Sequence, residues 1–134
     1  MTDHARIVPA TLEGLRTRPA DPLILAIRAD GQPLTGLTAL IDWRMGGQIS
    51  QLVLAGTFNH DSPVLRPSPS FIPCGRLLLW RLGAVTPRDL AHVVRDLNVD
   101  TPGICPEDFD FSDDEVERSL GHRVIVYRGP ETSS

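Results

Sequence analysis

The sequence predicts a single domain of the α/β class, in which buried strands alternate with amphipathic helices. Two apolar runs, residues 23–27 and 76–82, have the composition of strands that are covered on both faces. A pair of helical patterns follows the first run, and a helix with a clear start signal follows the second. This alternation is typical of layered α/β folds rather than of all-helical ones.

Length, composition and charge narrow the class of protein further. The chain has 134 residues, of which 41% are hydrophobic and 22% charged, as expected for one globular domain with a real core. Its net charge of −4 argues against a nonspecific nucleic-acid or anionic-membrane surface, because both need a basic footprint. The apolar runs are too short to cross a bilayer, and the N-terminus lacks the apolar region of a signal peptide. We therefore expect a cytoplasmic protein.

The first part of the chain carries weak signals. Residues 1–21 contain two prolines and scattered apolar residues, which predict an extended N-terminal arm with one short edge strand at 6–8. We place the α/β domain at 22–128 and a disordered tail at 129–134.

The segment 34–59 organises the rest of the chain, and it predicts two consecutive helices hinged at Gly46 and Gly47. Apolar residues recur three and four positions apart on either side of the hinge, and Gly56 marks a C-terminal stop. A glycine pair can mean a bend, a close backbone contact or a backbone surface offered to a ligand, and the two structural meanings are the commoner ones. The apolar positions are Leu37, Leu40, Ile41, Ile49, Leu52 and Val53.

Later elements follow from local signals. The proline-rich segment 60–73 admits only an edge strand near 64–66, because proline removes backbone donors. Thr86, Pro87 and Asp89 form a helix start after the second buried strand. Ser112 and Glu115 form a capping box, which predicts a helix over 113–120. We expect a loop at 98–106 and a last strand at 122–127.

Candidate chemistry is sparse. Asp108, Asp110 and Ser112 match the first ligand positions of an EF-hand loop, but Asp113 stands where that loop needs glycine and Ser119 where it needs glutamate. We therefore expect a solvated acidic helix start and no calcium site.

Other functional signatures are also missing. His60 and Asp61 have no further ligand at a recognised metal spacing, and no nucleophile or dinucleotide motif occurs. Cys74 and Cys105 are expected to be free thiols. All 13 basic residues are arginine, which excludes mechanisms that need lysine. The sequence predicts no metal, no cofactor and no catalytic residue.

The order of these elements resembles the N-terminal domain of the leucyl (cytosol) aminopeptidase family. The shared order is a buried strand, a helix pair with a glycine joint, a Pro/Ser-rich connection, a strand ending in Arg-Leu-Gly and a capped helix, over residues 22–97. The resemblance implies a macro-domain-like fold with three layers, α/β/α, around a mixed sheet. Matching positions are Asp42, Gly46, Gly47, Leu52, Gly56, Phe58, Leu82 and Gly83.

The resemblance also implies a function. In that family this domain supports assembly and regulation, while a separate domain carries two metals and the peptidase chemistry. This chain has neither the peptidase signature nor any lysine, so we expect no enzyme. The leading hypothesis is a non-catalytic interaction or assembly module that binds a protein partner or itself.

The alternative hypothesis is a macro-domain-like binder of ADP-ribose or a related nucleotide. Backbone donors for its phosphates would come from three segments, at Asp30 and Gly31, at Gly46 and Gly47, and at Gly83. The asparagine-rich, triple-glycine loop typical of ADP-ribose binders is absent, which counts against this hypothesis. A third possibility is an enzyme whose polar groups converge only in space.

Overall fold

The computed structural model describes residues 6–28, 34, 36–58, 63–82, 86–97, 101–121 and 123–128. Within these ranges the chain forms strands and helices in an alternating order. Their bounds are β1 Arg6–Pro9, α1 Leu12–Thr17, β2 Leu23–Ile27, α2 Gly36–Arg44, α3 Gln48–Leu54, β3 Val64–Pro67, β4 Arg76–Arg81, α4 Pro87–Leu97, β5 Gly103–Ile104, α5 Pro106–Phe109, α6 Asp113–Leu120 and β6 Ile125–Arg128.

The strands form one mixed sheet with the order β1-β6-β5-β2-β4-β3. Every neighbouring pair is parallel except β3 and β4, which are antiparallel. The two long apolar strands, β2 and β4, lie side by side, and their five-residue register runs from Leu23 opposite Leu77 to Ile27 opposite Arg81. They are almost completely buried because helices cover both faces of the sheet.

Two separate apolar clusters define the layers. Leu25 and Ile27 of β2 pack with Leu15 of α1, Ile41 of α2 and Ile49 of α3, on what we call the α1–α3 face. On the opposite, α4–α6 face, the alternate residues of β2 pack with α4, α5 and α6. The residues of that second cluster include Ile24, Ala26, Leu90, Val94, Phe109 and Val116. The predicted three-layer α/β/α fold with a mixed sheet is confirmed.

The predicted helix pair and its glycine hinge are also confirmed. Gly46 and Gly47 have φ angles of 69° and 86°, which favour glycine, and they separate α2 from α3. Gly47 has no side chain to cap α3, and Asp42 of α2 supplies the missing acceptor. The Asp42 carboxylate accepts hydrogen bonds from Ser50 N (3.0 Å) and Ser50 Oγ (2.6 Å). Asp42 is therefore a buried capping residue rather than part of a polar helix edge.

The edge strand predicted at 6–8 is present as β1, and α1 packs into the core where the sequence predicted an extended arm. β1 pairs with β6 over four positions, as an edge strand, and α1 follows it. Leu15 of α1 is fully buried, and Thr11 Oγ1 accepts a hydrogen bond from Gly14 N at 3.0 Å. A Cβ atom on Gly14 would lie 2.0 Å from the Pro9 carbonyl oxygen, so glycine lets α1 fold back closely on β1. The predicted tail, 129–134, lies outside the described residues.

The predicted loop at 98–106 contains a strand. Gly103 and Ile104 form β5, which pairs with both β2 and β6 at the centre of the sheet. A Cβ atom on Gly103 would lie 2.5 Å from Ala20 Cβ and 2.6 Å from Tyr127 Cε2, so this crossing needs glycine. A two-residue strand is too short to produce a periodic pattern, which explains why the sequence did not indicate it.

The helices of the α4–α6 face begin as predicted. Thr86 and Asp89 exchange hydrogen bonds at the start of α4, and Ser112 and Glu115 form the capping box of α6. The last strand, β6, covers Ile125–Arg128, slightly later than the predicted 122–127. Among the described helices, none is long and apolar enough to cross a membrane.

Candidate functional site

The carboxyl ends of β2 and β5 form a switch point of the sheet, because the chain leaves these neighbouring parallel strands toward opposite faces. After β2 it enters α2 on the α1–α3 face, and after β5 it enters α5 on the α4–α6 face. In open α/β sheets such a reversal leaves a gap at the carboxyl ends of the strands, where ligands commonly bind. We refer to it as the β2/β5 crevice.

Helix α2 points its N-terminus into this edge of the sheet. Thr38 is fully buried, and its Oγ1 donates a hydrogen bond to the carbonyl oxygen of Ala26 in β2 at 2.7 Å. This bond fixes the first turn of α2 against the end of β2. The first amide groups of a helix have no partner within the helix and carry a partial positive charge, so the first turn of α2 favours an anion.

Asp108 of α5 supplies such an anion from across the crevice. Its Oδ2 accepts a hydrogen bond from Leu37 N at 2.9 Å. Gly36 has a φ of 61°, and a Cβ atom there would lie only 2.0 Å from Asp108 Oδ1. The side chain of Asp108 therefore lies directly against the first turn of α2, and it joins the elements that follow β2 and β5.

The surroundings of Asp108 make its negative charge costly. Burial raises the pKa of this carboxyl above its usual value, and the hydrogen bond from Leu37 opposes the shift only in part. The neighbouring Glu107 raises the pKa of Asp108 further. A half-buried carboxylate held by one backbone amide is thus easier to neutralise or displace than a fully solvated one.

Burial disfavours the thiolate form of both cysteines. Burial, with a smaller effect of the Asp108 charge, raises the pKa of Cys105 to about 12. Burial also raises the pKa of Cys74. Because the thiolate is the reactive form of cysteine, these surroundings do not activate either side chain as a nucleophile.

Of the five residues predicted as ligand-loop positions, the structure describes two. The amides of Gly46 and Gly47 donate to the carbonyl oxygens of Trp43 (3.2 Å) and Asp42 (2.8 Å), and so complete the end of α2. The pair follows Arg44 at the end of α2, whereas Leu37 lies in the first turn, so the two are separated by the length of the helix, about 10 Å at 1.5 Å per residue. Ligand binding at these glycines stays a prediction.

The other three positions, Asp30, Gly31 and Gly83, lie outside the described residues. The described residues stop just before these positions, at Arg28 and Leu82. Leu82 N donates a hydrogen bond to the carbonyl oxygen of Ile27 at 2.7 Å, so the two stopping points are adjacent at one edge of the sheet. Their role as phosphate-binding loops also stays a prediction.

The described residues contain no cluster of metal-binding side chains. Within the described part of the chain, no three His, Cys, Asp or Glu side chains are grouped closely enough to hold an ion. His92 is exposed on α4, and His4, His60 and His122 lie outside the described ranges.

Sequence reasoning missed the role of Asp108, which it assigned to a solvated acidic run. Its partner, Leu37, is 71 positions away, so no local spacing could have indicated the contact. The available signal was general: in an α/β fold, the segments after neighbouring parallel strands meet at one edge.

Comparison with solved structures shows that the chain has a macro-domain-like fold. Solved structures similar to it include the macrodomain of Mycobacterium tuberculosis DarG, with a TM-score of 0.59 and 14% sequence identity over 96% of this chain and 99% of that one. The macrodomain of Thermus aquaticus DarG gives a TM-score of 0.61 and 13% identity, over 95% of this chain and 98% of that one. No protein-family model and no curated protein matches the sequence.

These similarities confirm the macro-domain-like fold and nothing finer, because the sequence identities are low. They lend no support to the aminopeptidase part of the resemblance. The interaction or assembly role, with its protein partner, stays a prediction.

Proposed function

We propose that this chain is a binding module for ADP-ribose or a related nucleotide, and that the β2/β5 crevice receives the phosphates of the ligand. This was the alternative hypothesis from the sequence. The single observation that carries it is the contact between Asp108 and Leu37, in which the start of α2 already holds a negatively charged oxygen. The near full-length similarity to macrodomains supports the same ligand class.

Leu37 N is the backbone donor that we assign to the phosphate. Leu37 N donates to a carboxylate oxygen at 2.9 Å, and a phosphate oxygen makes the same kind of charge-assisted hydrogen bond. The partial positive charge at the start of α2 favours either anion. The first turn of α2, taken without the Asp108 side chain, is therefore suited to a phosphate oxygen in geometry and in sign of charge.

Asp108 also opposes the binding of a phosphate. Its carboxylate and a phosphate oxygen compete for Leu37 N, and the two negative charges repel each other when they are close. Binding therefore requires the Asp108 side chain to turn away or to become protonated. An internal carboxylate in this position lowers the affinity of the module without removing its site.

Calorimetric titration with ADP-ribose tests the proposal on three proteins, the wild type, Asp108→Asn and Asp110→Asn. The second variant is a matched control, because Asp110 lies in the same acidic segment but is exposed and its left-handed conformation also suits asparagine. We expect saturable binding to all three. Asp108→Asn should bind about five to ten times more tightly, since a nearby like charge is removed. Absence of heat in all three proteins, with ribose 5-phosphate and ADP equally silent, would contradict the proposal.

A further inference from the structure

A second concave surface lies away from the β2/β5 crevice. It is a groove of about 750 Å³ on the α1–α3 face, between α3 and the strands β3 and β4. We call it the α3 groove. Its volume falls in the range of about 300–1,000 Å³ found for small-molecule sites. Neither Leu37 nor Asp108 contributes to it.

The floor of the α3 groove is apolar. It is built by Leu77 and Leu79 of β4 and by Ile49 of α3, which are all buried in the core. Leu52 of α3 is half-buried and forms part of the wall. The apolar side chains of the groove that are half-buried, and so remain partly accessible to solvent, are those of Met45, Leu52 and Pro69.

The described rim of the groove carries a positive charge. Among the described residues that line the groove, Arg66 is the one that is charged, and Gln48 and Gln51 add two side-chain amides. In the antiparallel pair of β3 and β4, Arg66 is directly opposite Leu77, so its side chain emerges on the same face of the sheet as the groove. Among the described residues, Arg66 has no carboxylate partner.

We propose that the α3 groove binds a small amphiphilic carboxylate, with its apolar chain against the half-buried side chains of Met45 and Leu52 and its carboxylate at Arg66. An apolar floor, two amides and an unneutralised guanidinium complement such a ligand in both polarity and charge. The cation stands out because the protein as a whole carries a net charge of −4. This inference is independent of the proposed nucleotide site.

An inward-pointing charge on an edge strand can have a simpler role, because it discourages pairing with another chain. That role requires no response to small molecules, and it does not distinguish a carboxylate from an alcohol of the same length. The comparison of octanoate with 1-octanol therefore separates the two roles of Arg66.

The experiment is an NMR titration of the ¹⁵N-labelled protein with octanoate and, separately, with 1-octanol. We expect saturable shifts of the Ile49, Leu52 and Ala55 amides, and affinity for octanoate about fivefold higher than for 1-octanol, the size of an exposed charge contact. Arg66→Gln should remove this difference. Arg95→Gln, an exposed change on the α4–α6 face, should leave it unchanged.

Two further variants test the groove without touching the core. Gln51→Glu places a negative charge at the rim and should weaken octanoate binding more than 1-octanol binding. Ala55→Trp fills the groove from an exposed position and should weaken both. Well-dispersed spectra of each variant show that it is folded.

Three results would overturn the inference. They are no saturable octanoate shift in the wild type, equal affinity for octanoate and 1-octanol, and an equal effect of Arg66→Gln and Arg95→Gln. Concentration-dependent broadening of the groove amides with no octanoate response would assign the groove to a second copy of the chain instead, and would also overturn it.

Discussion

At the residue scale, Asp108 links folding to the proposed function. It is a half-buried carboxylate whose one described backbone donor, Leu37 N, is also the donor proposed for a phosphate. Burial raises the pKa of Asp108, so the folded protein holds this proton more tightly than the unfolded chain does.

The sign of the pH effect on stability follows from that shift. Because the pKa of Asp108 is higher in the folded state, its contribution to the free energy of unfolding decreases as pH rises from the unfolded value of 3.8 through the folded pKa. Relative to Asp108→Asn, the wild type should therefore lose stability across this window. Urea unfolding of both proteins at a series of pH values measures this loss of stability. Parallel pH profiles for the two proteins would contradict the assignment.

The same group should control ligand affinity. Lowering the pH through the folded pKa of Asp108 neutralises the competing carboxylate, whereas the diphosphate of ADP-ribose keeps its charge. We expect tighter binding of ADP-ribose to the wild type at the acidic end of that range, and a flat profile for Asp108→Asn. Calorimetry at matched pH values measures both. Asp110→Asn, which removes an exposed charge from the same acidic segment, should keep the pH dependence of the wild type and serves as the control for a general charge effect.

At the element scale, the joint between α2 and α3 depends on a contact between side chains rather than on helix propensity. Asp42, near the end of α2, caps the start of α3 through Ser50. The glycine pair permits the bend, and the buried carboxylate fixes its geometry. Gly46 and Gly47 could be recognised as a hinge from the sequence, whereas the capping role of Asp42 needed coordinates.

Removing one hydroxyl group tests that contact. Ser50→Ala deletes the 2.6 Å hydrogen bond to Asp42 Oδ2 and keeps the backbone bond, so the free energy of unfolding should fall by about 1 kcal/mol. Gln51→Ala, at the next and exposed position, should change it by less than about 0.5 kcal/mol. Equal urea midpoints for the two variants would argue against the cap.

At the scale of the whole molecule, the edge strand predicted at 6–8 is present as β1, but the segment after it belongs to the core rather than to an extended arm. β1 adds an edge strand beside β6, and α1 returns Leu15 to the core of the α1–α3 face. A substitution of Leu15 tests whether this segment is part of the core or an extended arm. Leu15→Ala should lower the free energy of unfolding by about 2–5 kcal/mol. Leu54→Ala, at a side chain that is 78% exposed, should have little effect. Similar free energies of unfolding for Leu15→Ala and Leu54→Ala would instead indicate an extended arm.

The sequence predicted the parts of the fold that have strong local patterns. The apolar strands β2 and β4, the helix pair and the capped helices α4 and α6 all carry periodicity or capping residues that depend on near neighbours. α1 and β5 were missed because they are short and because each contains a glycine, Gly14 or Gly103. These glycines are needed for a close tertiary contact, which the local sequence does not indicate. The site was missed for the same reason, since it joins residues that are distant in the chain.

The most direct test of the central claim is the position of the amide shifts when ADP-ribose is titrated into the ¹⁵N-labelled protein. We expect the largest shifts at Leu37, Thr38 and Asp108, with little change at Leu52 and Ala55 in the α3 groove. Shifts confined to the groove, or no shifts in either the wild type or Asp108→Asn, would contradict it.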